Sequence, residues 1–430
     1  MTETPCQQTI AWLRMQLHAP AHWELVRHGT QPAAGRLVLV DRCHQRLLLR
    51  WAACETPPEP DRLWQDYRTL ERSRHADCRF DPLAPDTGWA GFRRHAGGDT
   101  LTRAGRFAPE LRRWIEMTLS WPDGHDERLE TAILRAFSIR ATDRLRAFGC
   151  DLTPPAGWTL AAAEIKPAQA ELRFTCGRHE VRVRRLGMLE AWYDGDAPAF
   201  VRRQLGGVPA DVVSAMYRGH AVCHAESREA VARARAFWQG RRSRHDYAWT
   251  CPVEGVLYHV AAWIPPDDNL APTLPKAFDM RCCDQGSAAP ARSVSPNRKP
   301  ASTAAVAPAT GDRLTYTDLR DSVPVPNRAV RAGREQQDGG QVLRIPLKRR
   351  WFMRPPLTWL LPLSRERVVA LDAVGREVWQ ACDGQRTVEE IVEEFAARHR
   401  LSFHAARLSV LQFLQQLTRR GIVVMAGGAR

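Results

Sequence analysis

Cys43-His44 and Cys223-His224 set a thiol beside an imidazole twice in one chain, and these are the residue types from which metal sites and activated nucleophiles are built. Neighbouring residues of a strand point to opposite faces, so neither pair can chelate one ion, and a buried Cys beside an exposed His is the expectation for both. Asp194-Gly195-Asp196 offers two carboxylates. The further ligands of a calcium loop do not follow, and Pro198 suits a first helical turn, so the stretch reads as a turn opening a helix. Gly97-Gly98-Asp99-Thr100 is a turn with no helical pattern behind it to aim amides at a phosphate. The chain has no GxxxxGK[ST], GxSxG, HExxH or GxGxxG motif. Its eleven Cys are scattered singly apart from Cys282-Cys283, without a CxxC pair, and reduced thiols with no zinc knuckle are expected. The chemistry-bearing residues therefore make no positive case for an enzyme, and no enzyme, metal or cofactor is expected; the alternative is an unrecognised enzyme within residues 1–283.

The elements that carry these residues point to a protein that binds rather than catalyses. A net charge of +14 and a pI near 9.7 suit an acidic partner. Almost all of that charge is Arg, with Lys only at Lys166, Lys276, Lys299 and Lys348. The run RARAFWQGRRSRH, Arg233 to His245, sets cations beside Phe237 and Trp238, a combination that suits nucleic acid and equally a solvated helix end. MTETPCQQTIAWLRMQLHAP lacks the basic and apolar regions of a signal peptide. No apolar run is long enough to span a bilayer, the best one, Leu357 to Leu363, being broken by Pro362. A cytoplasmic location without a membrane span is expected.

Four parts follow from composition and pattern: 1–150, 151–283, 284–340 and 341–430. Residues 284–340 are rich in Ala, Pro, Ser and Gly and too poor in large apolar residues to offset the entropy of ordering, so a disordered, flexible linker is expected there. A shift of 135 positions pairs Trp23 with Trp158, Leu25 with Leu160, Leu37 with Leu172, His44 with His179 and Arg50 with Arg185. In each copy a Trp-led strand, two strand pairs and a helix follow one another, with helices near Asp61–Arg72 and Pro198–Leu205. Each closes with an apolar run before a proline, Ile115–Pro122 or Val256–Pro265. The alternation predicts a duplicated antiparallel α+β region in which the Trp residues anchor the core.

Beyond Gln341, VLRIPLKRRW, LTWLLPL and RERVVALD read as three short strands. A helix capped by Asp372 ends at Asp383-Gly384, and Thr387 with Glu390 forms a capping box for a second helix. That helix turns Val388, Ile391, Val392 and Phe395 inward and Glu389, Glu390, Glu393 and Glu394 outward. Ser402 caps a third, with Ala406, Val410, Phe413, Leu414 and Leu417 inward. Gly421 ends it and Ile422–Met425 supplies a last strand. This order predicts a winged helix-turn-helix.

The stretch ALDAVGREVWQACDGQRTVEEIVEEFAARHRLSFHAARLSVLQFLQQLTRRGIVV resembles the pyrroloquinoline quinone biosynthesis protein D (PqqD) family in its CDG turn, its TVEEI helix and its FLxxLxxxGIV ending. The resemblance implies a RiPP recognition element, a non-catalytic peptide chaperone that binds the leader of a ribosomally made precursor and presents it to a modifying enzyme. The leader adds as a strand beside the third strand and packs on the third helix. Carried over, the edge is Arg367, Val368, Val369 and Ala370. The helix wall is Arg407, Leu411 and Leu414, with Arg407 suited to an acidic leader. No radical CxxxCxxC signature is present, so the modifying enzyme is expected to be a separate chain. A nucleic-acid reading rests on Arg407, Arg419, Arg420 and the KRRW turn, Lys348–Trp351; the four glutamates of the second helix oppose it.

Overall fold

A computed structural model of the 430-residue chain describes residues 8–206, 211–227, 242–265, 270, 273–283, 319–335, 339–346 and 366–426. They form two compact units, one reaching to Cys283 apart from Glu190–Trp192, the other comprising the chain from Asp284. The architecture is mixed α+β.

The first unit opens with a hairpin of β1 (Gln8–Trp12) and β2 (Met15–Ala19). An antiparallel sheet follows, made of β3 (Glu24–Arg27), β4 (Ala34–Val40), β5 (Gln45–Ala53), β6 (Arg79–Pro82), β7 (Ala90–Ala96), β8 (Asp99–Ala108) and β9 (Arg113–Trp121) in the spatial order β3-β4-β5-β9-β8-β7-β6. Helix α1 (Pro60–Arg74) connects β5 to β6, and α2 (Glu127–Ala136) follows β9. Three short strands come next: β10 (Ser138–Ile139), β11 (Leu145–Ala147) and β12 (Cys150–Leu152). The second large sheet consists of β13 (Thr159–Lys166), β14 (Gln169–Cys176), β15 (His179–Leu186), β16 (Val212–Tyr217), β17 (His220–Ser227), β18 (Ser243–Cys251) and β19 (Val256–Ile264). Its order, β13-β14-β15-β19-β18-β17-β16, is that of the first, with α3 (Ala197–Gln204) again between the third and fourth strands.

Alternation explains which faces are buried. Leu47, Leu49 and Trp51 of β5 and Leu172 and Phe174 of β14 turn into one apolar core with Ile115, Met117, Tyr258 and Val260. The opposite face of each sheet is covered by its helix. Trp64 of α1 packs with Phe92 and Trp114, and Phe200 and Val201 of α3 pack with Cys223, Ala248 and Leu257. Gly105 makes the first of these contacts possible: a Cβ there would lie 2.5 Å from Trp114 Cζ2 and 2.8 Å from Trp64 Cη2. Trp23 and Trp158 are both core residues.

The short strands reveal a relation that the sequence pattern did not. Leu13 and Arg14 turn the first hairpin with φ of 48° and 67°, and Phe148 and Gly149 turn β11/β12 with φ of 55° and 75°. Positive φ at both central residues suits the twist of a two-residue hairpin. The two hairpins pair through Ala11 and Arg146, positions separated by the same 135 residues (11 + 135 = 146), in a sheet of order β10-β2-β1-β11-β12.

The second unit begins earlier than expected. Residues 284–318 lie outside the described residues, but β20 (Val323–Pro326) and β21 (Arg331–Glu335) form within the stretch read as linker. β21, β22 (Gln341–Pro346) and β23 (Glu366–Leu371) make a sheet in that order. Helices α4 (Ala373–Ala381), α5 (Val388–His399) and α6 (Phe403–Arg419) and strand β24 (Val423–Ala426) complete the unit. β24 pairs with β20. The Pro324 carbonyl accepts the Gly384 amide at 3.2 Å and so points away from β24, which means the missing proline N–H costs that ladder nothing. The candidate strand within Leu357–Leu363 and the Lys348–Trp351 turn lie outside the described residues.

Candidate functional site

The helical motifs hold the second unit together. Asp372 caps α4 by accepting the Gly375 amide at 2.7 Å. At the end of α4, Cys382 is buried, which pushes its thiol up to about 12. The Asp383 carboxylate accepts the Gln385 and Arg386 amides at 2.8 and 3.0 Å. Those amides, Arg386 first, draw it down to about 2. Gly384 then takes a φ of 78°. Thr387 and Glu390 close the capping box, with the Glu390 carboxylate accepting the Thr387 amide at 2.8 Å. The CDG turn is therefore an Asx turn that fixes the angle between two helices. Two outward glutamates are also occupied: Glu390 by its cap, and Glu394 by Arg386 and Arg398 at 2.6 and 2.8 Å.

The candidate edge lies one element upstream of this frame. Among the described residues β23 pairs with β22 alone, through Leu343 opposite Val369 and Arg344 opposite Val368. No described residue pairs with its other side, and an edge of that kind offers backbone donors and acceptors to which a further strand can add. Arg367, Val368 and Ala370 are exposed, Val368 by 61 %, whereas Val369 is a core residue. On α6, Arg407 and Leu411 are half-buried, and Leu414 is a core residue rather than part of a wall open to a ligand. Leu408, missed by the sequence reading, is 58 % exposed three residues before Leu411. The i, i+3 spacing joins the two into an apolar stripe. Helix α4 packs against β23 and meets α6 where Phe413 Cζ lies 2.8 Å from the Cβ position of Gly375, on a face of α6 other than that of Leu408 and Leu411.

Residues 358–423, which contain this edge and all three helices, match the family model "Coenzyme PQQ synthesis protein D (PqqD)". Two curated relatives cover the same region. A "PqqA binding protein" of Bradyrhizobium diazoefficiens is 34% identical over 68 residues, 16% of this chain and 65% of the relative. A protein of the same name from Rhodopseudomonas palustris is 32% identical over 68 residues, 16% of this chain and 66% of the relative. The chain thus spans just under two thirds of the length of these relatives. Among solved structures, the immunity protein TplEi of T6SS from Pseudomonas aeruginosa, complexed with "L" peptide, has a TM-score of 0.25 at 8% identity, with coverage of 62% of this chain and 90% of that one. A likeness at that level carries no argument.

The thiol and imidazole pairs of the first unit fall differently from expectation. Cys43 is exposed, in the turn where the Cys43 and His44 amides bond Asp41 Oδ1, because the pair precedes β5 and lies outside the strand alternation. Cys223 is buried as expected, but His224 is half-buried rather than exposed, because its ring stacks on Tyr247 with centroids 4.3 Å apart. Asp196 caps α3 by accepting the Ala199 amide at 2.8 Å, and Gly195 has a φ of 83°, so the DGD stretch is a turn. Asp41, His44 and Asp123 draw close together, but Arg46 ion-pairs with both carboxylates.

A second cluster was not foreseen. His220, Cys251, Cys282 and Cys283 bring four ligand atoms within 4.8 Å of one another. The expectation of no metal site fails to consider this set, because its members come from three separate segments. The Cys251 thiol is drawn down to about 5 by the hydrogen bond from Cys282, which is itself pushed up by that bond, and burial raises Cys283. No described helix is long and apolar enough to cross a membrane.

Proposed function

We propose that this protein is a non-catalytic peptide-binding adaptor whose second unit captures an extended peptide on the outer side of β23 and presents it to a separate modifying enzyme. The one-sided pairing of β23 inside the region that matches the PqqD model carries this reading. The name shared by both curated relatives supports a peptide as the partner. In this reading main-chain bonds along Arg367–Ala370 supply affinity. Val368 and the Leu408/Leu411 stripe supply selectivity, and Arg407 favours an acidic peptide. The fold assigned to the second unit is a winged helix-turn-helix, with β20/β24 as its wing. The first unit is assigned as an internal duplication, on the shared strand order of its two large sheets and the 135-residue offset.

The test is panning of a random-peptide phage library on the full chain, followed by titration of the selected peptide against Arg367→Pro and Val368→Pro. Consecutive residues of a strand direct their N–H groups to opposite sides, so one variant loses a bond to β22 and the other loses an outward donor. The expected result is that one variant keeps its circular dichroism and loses at least about tenfold in affinity. Failure to enrich any peptide, or unchanged binding by both folded variants, defeats the proposal.

A further inference from the structure

His220, Cys251, Cys282 and Cys283 stand where no disulfide accounts for them. Cys282 Sγ and Cys283 Sγ are 4.0 Å apart, about twice the length of an S–S bond. His220 Nε2 lies 3.1 Å from Cys282 Sγ and 3.3 Å from Cys283 Sγ. Tetrahedral zinc with bonds of ~2.3 Å to sulfur and ~2.0 Å to nitrogen needs ligand atoms ~3.5–3.8 Å apart, close to this spacing.

We propose that these four residues bind one zinc ion in a closed Cys3His site. Thiolate and imidazole are the donors that select zinc over hard cations, and four protein ligands leave no open position, so the ion is structural. The Glu254 amide bonds the Cys251 sulfur, as outer-sphere donors do at thiolate sites.

The ligands show what the ion fastens. His220 begins β17, Cys251 ends β18 where it pairs with Val256, and Cys282-Cys283 close the tail that follows β19. That tail is already laid on the sheet: Tyr217 Oη bonds the Met280 carbonyl at 2.7 Å and Phe278 is fully buried. Arg281 bridges to Asp151 as Ser138 does to Gln16, positions related by the same offset (16 + 135 = 151). The residue after each bridge is Ile139 in the first half and Cys282 in the second, and the residue before each hairpin turn is Ala108 or Cys251. Only the second half carries ligands at these places, where the first unit ends. Zinc therefore pins the tail from which the chain leaves toward the peptide-binding unit.

The experiment is elemental analysis of the full chain purified without chelators or immobilised-metal steps, with Cys251→Ser, Cys282→Ser and, as control, Cys43→Ser. About one zinc per chain is expected in the parent and in Cys43→Ser, with at least a tenfold loss in the other two. If the ligand variants fail to fold, cobalt(II) replacement in the parent decides the matter through the visible bands of tetrahedral thiolate-bound cobalt. Zinc well below stoichiometry together with absent cobalt bands overturns the site. Zinc retained by soluble Cys251→Ser, or iron with sulfide-type absorption in place of zinc, also overturns it.

Discussion

Removing residues 319–327 from the second unit should largely unfold it, although they precede the region matching the PqqD model. The Arg320 and Ser322 carbonyls accept the Glu389 and Val388 amides at 3.1 and 2.9 Å, satisfying two of the donors orphaned at the start of α5. The Pro324 carbonyl accepts the Gly384 amide at 3.2 Å. Asn327 donates its amide to the Ile422 carbonyl and its side chain to the Gly421 carbonyl, both at 2.8 Å. At ~1 kcal/mol net each, these five bonds contribute about 5 kcal/mol before the β20/β24 ladder is added. Small domains are stable by only ~5–15 kcal/mol. Urea titration followed by circular dichroism on fragments 319–430 and 328–430, which both keep β21, checks this. The longer fragment should unfold cooperatively, and the shorter should show a midpoint near zero urea. Equal midpoints would refute the assignment of these bonds as structural.

Three further outcomes follow from the geometry. Val368 is 61 % exposed, so a peptide strand covering it gains ~1 kcal/mol from that side chain, and Val368→Ala should weaken a library-selected peptide ~5-fold in fluorescence anisotropy. Glu130 is buried and bonds Arg93 at 2.8 Å and His125 at 2.9 Å; Glu130→Ala should cost about 3 kcal/mol in denaturant unfolding of the first unit, because Arg93 loses its close buried carboxylate and keeps only the exposed Glu127 at 3.8 Å. Acidification should destabilise that unit through Asp246 and His259, which bond at 2.8 Å. Burial holds His259 below its usual value, so the folded state resists the proton that the unfolded chain accepts below pH ~6.5. Burial raises the Asp246 carboxyl, but hydrogen bonds from His259 and Arg244 outweigh it and set it low, so its contribution is present above the unfolded pKa and disappears as pH falls through the folded one. Both effects have the same sign but act in different windows: the melting temperature should drop from pH 7 to 5 through His259, so that His259→Gln flattens this drop, and should fall further below pH ~4 through Asp246.

What was legible in the sequence was local. The caps at Asp372, Thr387 and Ser402 lie within four residues of the amides they serve, and the structure makes all three. The stripe Val388, Ile391, Val392 and Phe395 is a periodicity of a single helix, and all four side chains are buried. The edge residues were read by resemblance, and alternation on β23 divides them into exposed Arg367, Val368 and Ala370 and core Val369. Long-range closure was hidden. The prolines of Val323–Pro326 argue against a strand until the direction of the Pro324 carbonyl is known. The hairpin turn at Leu13-Arg14 carries no glycine to announce positive φ, although Phe148-Gly149 does. The His220, Cys251, Cys282 and Cys283 cluster has no CxxC spacing because three strand and tail ends assemble it.

Amide hydrogen exchange on the full chain, with and without a peptide selected from the random library, tests the central claim most directly. Slowed exchange confined to β23 and the exposed stripe of α6, with β20/β24 and the first unit unchanged, is the result that a strand added to the free side of β23 predicts. Saturating peptide that leaves β23 exchange unaltered, or that protects only the first unit, would contradict it.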